Sequence, residues 1–174
     1  MSSENHKKRK HNKSGKEEIS VSDWSEDQYK MYRKVLDDMP KVCVPALSPS
    51  PCTLLGVQKS GKVKPLKDGR ISHQQVKVAY GYQVIAYGKF GKEKMKEIPA
   101  SKKRDDLVLS HLCGTRNCCN SSHILPEPKW LNDERTHCHF VLQNYLNKTG
   151  KRISDELLEQ LCPHSPKCGS ELSE

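Results

Sequence analysis

Three residues able to bind a metal ion, Cys113, Cys118 and His123, follow one another at intervals of five. They lie in a loop rich in Gly, Thr, Asn and Ser, which offers no apolar core for a buried cysteine to join. Zinc in structural sites takes four Cys or His ligands in a tetrahedron, so one ligand is missing locally. Either Cys52 or Cys43 must supply it from far upstream.

A second cluster lies near the C-terminus, where Cys162, His164 and Cys168 fall within seven residues that include two prolines. Cys138, on a predicted helix upstream, completes a second set of four ligands. The sequence therefore predicts two zinc sites, each made of three local ligands and one distant cysteine.

Some ligand choices stay open at this point. Cys119 is adjacent to Cys118 and competes with it for the first site. His137 and His139 flank Cys138 and could replace it in the second.

The composition explains why metal ions would be needed. The chain has 174 residues, 34% hydrophobic and 6% aromatic, with eight cysteines and a formal net charge of +9. This apolar content is low for a self-sufficient core. No run of 18 apolar residues is present, which excludes a membrane-spanning helix. The first ten residues contain no apolar stretch, so we expect no secretory signal and a reducing compartment that favours metal binding over disulfides.

Positive charge is concentrated between residues 59 and 104, where thirteen Lys and Arg accompany three acids. Such a segment suits a polyanion, because neutralising phosphates releases condensed counterions. We predict double-stranded DNA as the partner, bound by Lys59, Lys62, Lys64, Lys67, Arg70 and Lys77. The alternative is a lysine-rich surface that is merely solvated.

Residues 1–24 are predicted to form a disordered basic tail. The run His6–Lys13 is strongly basic, and no apolar residue occurs from Ser2 to Glu18, so the segment cannot bury enough surface to order itself. The run is typical of a nuclear-import signal, which predicts nuclear localisation, or of a DNA-binding arm. A solubilising tail is the alternative.

Residues 25–51 are predicted to form a helix and a linker. Ser25 and Gln28 have the spacing of a capping box, and apolar residues then recur at helical intervals up to Pro40, which predicts a helix over 26–38. Residues 45–51 contain three prolines and favour an extended linker.

The remaining elements follow from hydrophobic periodicity. They are short strands between 52 and 78, a helix over 79–90, a strand over 107–109, a helix over 129–146 and a helix over 154–161. Apolar and polar residues alternate near residues 76–80, so a strand there is an alternative to the start of the helix over 79–90.

The clusters resemble the His-Cys box homing endonucleases, a branch of the ββα-metal (His-Me finger, HNH-like) nucleases. The resemblance is carried by Ser110-His111-Leu112-Cys113, Cys118, Asn120, His123, Asn132, Cys138 and Cys162-Pro163-His164 with Cys168. It covers Cys52 and about 105–168. It implies an α+β, zinc-stabilised ββα-metal domain with a small antiparallel sheet over 52–168, followed by a tail over 169–174.

The resemblance also implies a set of catalytic residues. His111, at the end of a strand over 107–111, would act as general base on a water that attacks the scissile phosphate. Asn132 would hold one Mg²⁺ through its amide oxygen, and Arg70 would be the cation near the phosphate. The two zinc ions would be structural. HNH-type proteins also commonly place a helix near 76–80, before the catalytic strand.

Two departures from the family pattern bear on function. The chain has Asn120-Ser121 where the family often has Asn-Pro. Only six residues follow Cys168, so the long C-terminal arm that embraces a partner subunit in some homodimeric members is not expected.

The function predicted is that of a Mg²⁺-dependent DNA endonuclease. The alternatives are a zinc-dependent DNA-binding protein that keeps the fold without cleavage, and a zinc-stabilised protein-interaction module.

Overall fold

Short antiparallel strands and helices of very different length make up an α+β architecture. The computed structural model describes residues 20–59, 62–65, 68–73, 76–100 and 102–172. Within these ranges the elements are α1 (Glu26–Asp38), β1 (Lys41–Val44), β2 (Cys52–Lys59), β3 (Lys62–Pro65), β4 (Arg70–His73), β5 (Val76–Tyr80), α2 (Gly81–Lys96), β6 (Leu107–His111), β7 (Ile124–Pro128), α3 (Lys129–Thr149) and α4 (Asp155–Leu161).

The first helix begins and ends as its sequence predicts. The Ser25 side chain accepts from the Gln28 backbone and the Gln28 side chain accepts from the Ser25 backbone, so both halves of the capping box form. Tyr32 and Leu36 are buried on the inner face of α1. The predicted linker, 45–51, contains neither helix nor strand.

The predicted end of the tail at residue 24 is wrong. Val21 and Trp24 are 3% and 2% exposed and belong to the main hydrophobic core. The Trp24 ring lies 4.8 Å from Tyr32 and 5.9 Å from Tyr87, centroid to centroid. Apolar burial therefore holds the chain from about residue 20 onward. Residues 1–19, with the basic run, lie outside the described residues.

The strands form three small antiparallel sheets, ordered β1-β2-β3, β4-β5 and β6-β7. In the first, β1 pairs with β2 so that Val44 is opposite Cys52. This pairing joins the predicted segment 25–51 to the strands that follow it, and α1 shares the main core with α2.

The predicted helix over 79–90 is partly wrong, and so is the expectation of a helix near 76–80. Residues 76–80 form β5, paired with β4 in a register that sets Arg70 opposite Tyr80. The helix α2 starts only at Gly81 and extends past the predicted end to Lys96, with non-helical backbone at Gly91 (φ 78°). Pairing with β4 stabilises an extended backbone at residues 76–80, although the local spacing of apolar residues also fits a helix.

The β6-β7 hairpin and α3 form a ββα unit. His111 at the end of β6 is opposite Ile124 at the start of β7, and α3 begins directly after β7. The strand over 107–111 and the helix starting at 129 are as predicted; α3 continues to Thr149, where Gly150 ends it with φ 64°. The last helix also starts as predicted, capped by the Ser154 side chain.

The C-terminal residues beyond the last cysteine are attached to the fold as far as they are described. The Gly169 N–H donates to the Leu112 carbonyl at 2.6 Å, and the Leu172 N–H donates to the Ser122 carbonyl at 2.9 Å. Both acceptors belong to the segment between β6 and β7. The predicted tail over 169–174 is thus bound to the domain through residue 172.

Candidate active site and metal centres

The first Cys and His cluster comes together at one end of the β6-β7 hairpin. The sulfur atoms of Cys52, Cys113 and Cys118 and one ring nitrogen of His123 all lie within 4.8 Å of one another, and all four residues are buried. The His123 Nδ1 atom is 3.4 Å from Cys118 Sγ and 3.9 Å from Cys52 Sγ. Three thiols and one imidazole around a common point are a donor set suited to tetrahedral zinc.

Hydrogen bonds from neighbouring side chains fix the orientation of His123. Its Nε2 atom lies 3.0 Å from the Ser50 hydroxyl, which directs Nδ1 toward the cysteines. The Asn120 side-chain amide donates to the same hydroxyl at 3.1 Å, and its oxygen caps the short helical turn Ser121–His123. Outer hydrogen bonds of this kind set the tautomer and ring orientation of metal-binding histidines.

The positions of the candidate cysteines in the fold decide which of them belong to the first site. Cys52 and Cys118 lie in the cluster. Cys119 is buried in the main hydrophobic core, where burial raises the pKa of its thiol to about 12. Cys43 is exposed. Cys119 therefore acts as a small apolar core residue. The sequence alone could not show which of the two neighbouring cysteines, Cys118 or Cys119, belongs to the metal-binding set.

The second cluster contains Cys138 from α3 together with Cys162, His164 and Cys168, again within 4.8 Å and buried. The His164 Nδ1 atom lies 3.4 Å from both Cys162 Sγ and Cys168 Sγ. The Cys168 N–H donates to Cys162 Sγ at 3.2 Å, which supports negative charge on that sulfur. This set too has the donors of a closed zinc site.

Neither histidine beside Cys138 substitutes for it. His137 is exposed on α3. The His139 Nε2–H donates to the Leu112 carbonyl at 3.0 Å, and burial lowers the pKa of this ring to about 4. His139 is thus a neutral residue that joins α3 to the segment after β6.

His111 and Asn132 line the same open cleft, which has a volume of about 510 Å³. His111 comes from the end of β6 and Asn132 from the first turn of α3, so the ββα unit brings them together across 21 residues of sequence. The cleft continues along α3 past Thr136 and Gln143. Its lining therefore combines an imidazole with a side-chain amide, each carried by regular secondary structure.

Main-chain contact sets the tautomer of His111. The His111 Nε2 atom lies 3.1 Å from the Cys118 carbonyl oxygen, which only accepts, so Nε2 carries the proton. Burial lowers the pKa of His111 below its ordinary value, so the ring is neutral at pH 7 and Nδ1 holds a lone pair. The Tyr82 ring meets His111 edge-on at 4.9 Å between centroids. Such a ring can accept a proton at Nδ1.

The family model for the zinc-binding loop region of homing endonuclease matches residues 53–174, more than two thirds of the chain. The protein belongs to this family. The match begins one residue after Cys52 and includes the seven other residues of the two clusters. A search of curated proteins and a search of solved structures each returned no match. Membership of the homing-endonuclease zinc-loop family indicates a nuclease-related function, and the two Cys and His sets fit the zinc binding of the family.

Arg70 occupies a different place from the other two predicted catalytic residues. It is exposed on β4, and its guanidinium donates to the Tyr80 hydroxyl at 3.2–3.3 Å and lies 3.8 Å from the Asp68 carboxylate. The Tyr80 ring is 5.6 Å from that of Tyr82, which contacts His111. Arg70 is therefore linked to the His111 side of the cleft through two tyrosines without lining the cleft itself.

The predicted DNA-binding lysines fall mainly on one hairpin of this family member. Lys59 and Lys62 are opposite each other at the β2-β3 turn, and Lys64 lies two residues further along β3. Lys62 is exposed. Lys77 lies on β5, and Lys67 lies outside the described residues.

Two cations of the cleft were not singled out from the sequence. Lys102, in the loop before β6, and Arg116, in the loop after it, both line the cleft with His111 and Asn132. Arg116 stands between the metal-binding positions Cys113 and Cys118, which is the only sequence signal that could have indicated it.

A buried ion pair joins α3 to the second Cys and His set. Arg135 and Glu127 have 0% and 3% exposed side chains, and the Arg135 Nε–H donates to both carboxylate oxygens at 2.9 Å. The Arg135 Nη1 atom also donates to the Pro166 carbonyl at 2.7 Å and lies 3.6 Å from Cys168 Sγ. The positive charge of the Arg135 guanidinium thus balances the negative charge of the Glu127 carboxylate and lies beside the sulfur atoms of the second Cys and His set.

We expect Glu127→Ala to lower the free energy of unfolding of the zinc-loaded protein by about 3–5 kcal/mol, because it leaves Arg135 buried without its counter-ion. Denaturant unfolding measures this loss. The control is Asp37→Ala, which breaks an exposed Arg33–Asp37 pair and should cost no more than about 1 kcal/mol. An equal loss of unfolding free energy in the two variants would show that the buried Glu127–Arg135 pair contributes no more to stability than an exposed pair.

Proposed function

We propose that the protein is a Mg²⁺-dependent DNA endonuclease of homing-endonuclease type that hydrolyses a phosphodiester bond. The observation that carries the proposal is the cleft shared by His111 and Asn132, where the Cys118 carbonyl orients the His111 ring and burial keeps it neutral. A DNA-binding protein without cleavage would have no chemical need for this pair in one cleft.

His111 is the proposed general base. Its Nδ1 atom takes the proton from a water molecule as the water oxygen attacks the phosphorus atom of the scissile phosphate, and the bond to the leaving 3′ oxygen breaks. The Cys118 carbonyl keeps Nε2 protonated throughout, which holds Nδ1 in the accepting role. When the ring becomes charged, the same carbonyl stabilises the charge.

Asn132 is the proposed protein ligand for Mg²⁺, through its side-chain oxygen. A hard divalent cation keeps several waters and needs few protein ligands when phosphate oxygens supply others, which fits a single amide on the first turn of α3. When bound, the ion supplies Lewis-acid stabilisation of charge on the phosphate and the leaving oxygen.

The eight residues of the two Cys and His sets are the proposed ligands of two structural zinc ions. Each set offers four protein donors, so no coordination position remains open for a water or substrate. The zinc ions therefore stabilise the domain, and the chemistry belongs to the cleft.

Double-stranded DNA is the proposed substrate, bound through its phosphates. Two exposed cations support this: Lys62 on the β2-β3 hairpin and Arg70 on β4. Contacts of this kind predict an affinity that falls steeply with salt. Within the described ranges, none of the helices has the length and apolar character of a bilayer span.

The experiment that tests the proposal is nicking of a supercoiled plasmid by the zinc-loaded protein. Relaxed or linear product should form with Mg²⁺ or Mn²⁺ and should not form with Zn²⁺ alone. Linear product from a single binding event would require two active sites, as in a homodimer. A protein that binds duplex DNA but leaves it intact in Mg²⁺ would be the zinc-dependent DNA-binding protein instead.

The proposed localisation is nuclear, directed by the basic run His6–Lys13. We expect deletion of residues 2–18 to move a fusion to a large fluorescent tag out of the nucleus, because the deletion removes the run. Thermal stability should stay nearly unchanged, since Val21 and Trp24 are retained. Replacing Glu17 and Glu18 by glutamine is the control, because it leaves every basic residue in place. A deletion variant that stays nuclear would contradict the assignment.

A further inference from the structure

The cleft that holds His111 and Asn132 also holds two exposed cations. Lys102 lies in the loop before β6, and Arg116 lies in the loop after it. In the described part of the chain, neither side chain forms an ion pair or a side-chain hydrogen bond. Two positive charges therefore stand at the cleft with their donors available to a ligand.

Two cations of α3 that do not line the cleft are already engaged. Lys129 is paired with Asp133 one turn along α3, and Arg135 is buried against Glu127. Their charges are compensated within the fold. Among the described residues that line the cleft, Lys102 and Arg116 are the only lysine and arginine.

Arg116 is held more firmly than an ordinary loop residue. It lies three residues after Cys113 and two before Cys118, so both ends of its loop are fixed at the first Cys and His set. The Cys118 N–H donates to the Thr115 carbonyl at 3.1 Å, which closes a turn around Arg116.

A second contact fixes the same loop from the side of β4. The side chain of Asn117 packs so closely on Gly69 that a Cβ atom there would lie 2.9 Å from the Asn117 Cβ. Gly69 has φ +63°, a conformation that favours glycine. The loop that carries Arg116 is thus preorganised before any ligand arrives.

The guanidinium of arginine binds phosphate through two parallel N–H donors, whereas lysine acts as a point charge. We propose that Arg116 binds a DNA backbone phosphate next to the scissile phosphate, and that Lys102 contacts the same strand on the other side of His111. This inference rests on the proposed endonuclease function and deepens it. Arg116 thereby sets the register of the strand, so that the scissile phosphate lies at His111.

The test measures duplex binding as a function of salt concentration, by fluorescence anisotropy with a labelled duplex and the zinc-loaded full chain. Arg116→Gln is expected to weaken binding about tenfold near 0.1 M salt and to reduce the slope of log K against log[salt] by about 0.9. Arg116→Lys should keep the slope but not the full affinity. Lys102→Gln should reduce the slope by a similar amount.

The matched control is Lys34→Gln on α1, an exposed lysine that does not line the cleft. It should keep the wild-type slope and affinity. Zinc content and melting temperature should be the same in all variants, because the side chains are exposed. A merely structural role of Arg116 would change these two readouts and leave the slope alone.

The outcomes separate this inference from the proposed function. If the wild-type protein binds and cuts duplex DNA while Arg116→Gln keeps the wild-type slope and rate, the assignment of Arg116 is overturned. If the wild-type protein binds no duplex at all, the proposed function fails first. Should Arg116→Gln lose zinc, the Arg116→Lys variant decides: wild-type affinity in that variant also overturns the proposal.

Discussion

Replacing His111 with alanine is expected to slow plasmid cleavage by about 10²–10⁴-fold, the usual contribution of a general base. Affinity for duplex DNA should stay within a few-fold of the wild type, because the proposed phosphate contacts come from lysines and arginines elsewhere. The measurement is the single-turnover rate of nicking in Mg²⁺, with binding determined on the same preparation.

The control for this variant is His137→Ala. His137 is also on the ββα unit but is exposed on α3, so its loss should leave the rate unchanged. Asn132→Ala should lower the rate and also raise the Mg²⁺ concentration needed for half-maximal cleavage, a shift that His111→Ala should not produce. Undiminished cleavage by His111→Ala would show that the active site lies elsewhere.

Removal of zinc by a strong chelator is expected to unfold most of the domain. Binding of structural zinc is coupled to folding and is worth about 10–16 kcal/mol in small zinc domains, as much as the whole stability of an ordinary domain, about 5–15 kcal/mol. Two sets of four buried ligands, each central to its own small hydrophobic cluster, would lose their common partner. Far-ultraviolet circular dichroism during chelation, and recovery on adding zinc, measure the effect.

The cysteines outside the two clusters supply matched controls. Cys43→Ser should retain two zinc ions per chain, because Cys43 is exposed and lies outside the clusters. Cys118→Ser and Cys162→Ser should each retain only one. Elemental analysis of an intact wild-type fold with fewer than one zinc per chain would refute the assignment of both sites.

The two metal-binding sets show what spacing can predict. Three ligands of each set are close in sequence, so their grouping follows from local geometry alone. The fourth is remote, and the choice of Cys52 over Cys43 depends on the β1-β2 pairing, which sets Val44 opposite Cys52. Cys118 and Cys119 are neighbours of the same type, and packing around each one distinguishes them.

The errors of prediction have a common cause in contacts between distant residues. Residues 76–80 carry both a helical and an alternating pattern, and pairing with β4 selects the strand. Val21 and Trp24 follow a polar segment in the sequence, but both are buried in the main core, where Trp24 packs against Tyr32 of α1 and Tyr87 of α2. Arg116 carries no periodic or compositional signal, because its position in the cleft depends on how the loop folds.

Cys118 performs two tasks with two different atoms. Its sulfur belongs to the first Cys and His set, and its carbonyl oxygen holds the proton of His111. Under the proposed function, zinc bound at the first set would also stabilise the contact that orients the general base. We therefore expect protein depleted of zinc at this set to lose DNA cleavage together with its fold, and both to return when zinc is restored.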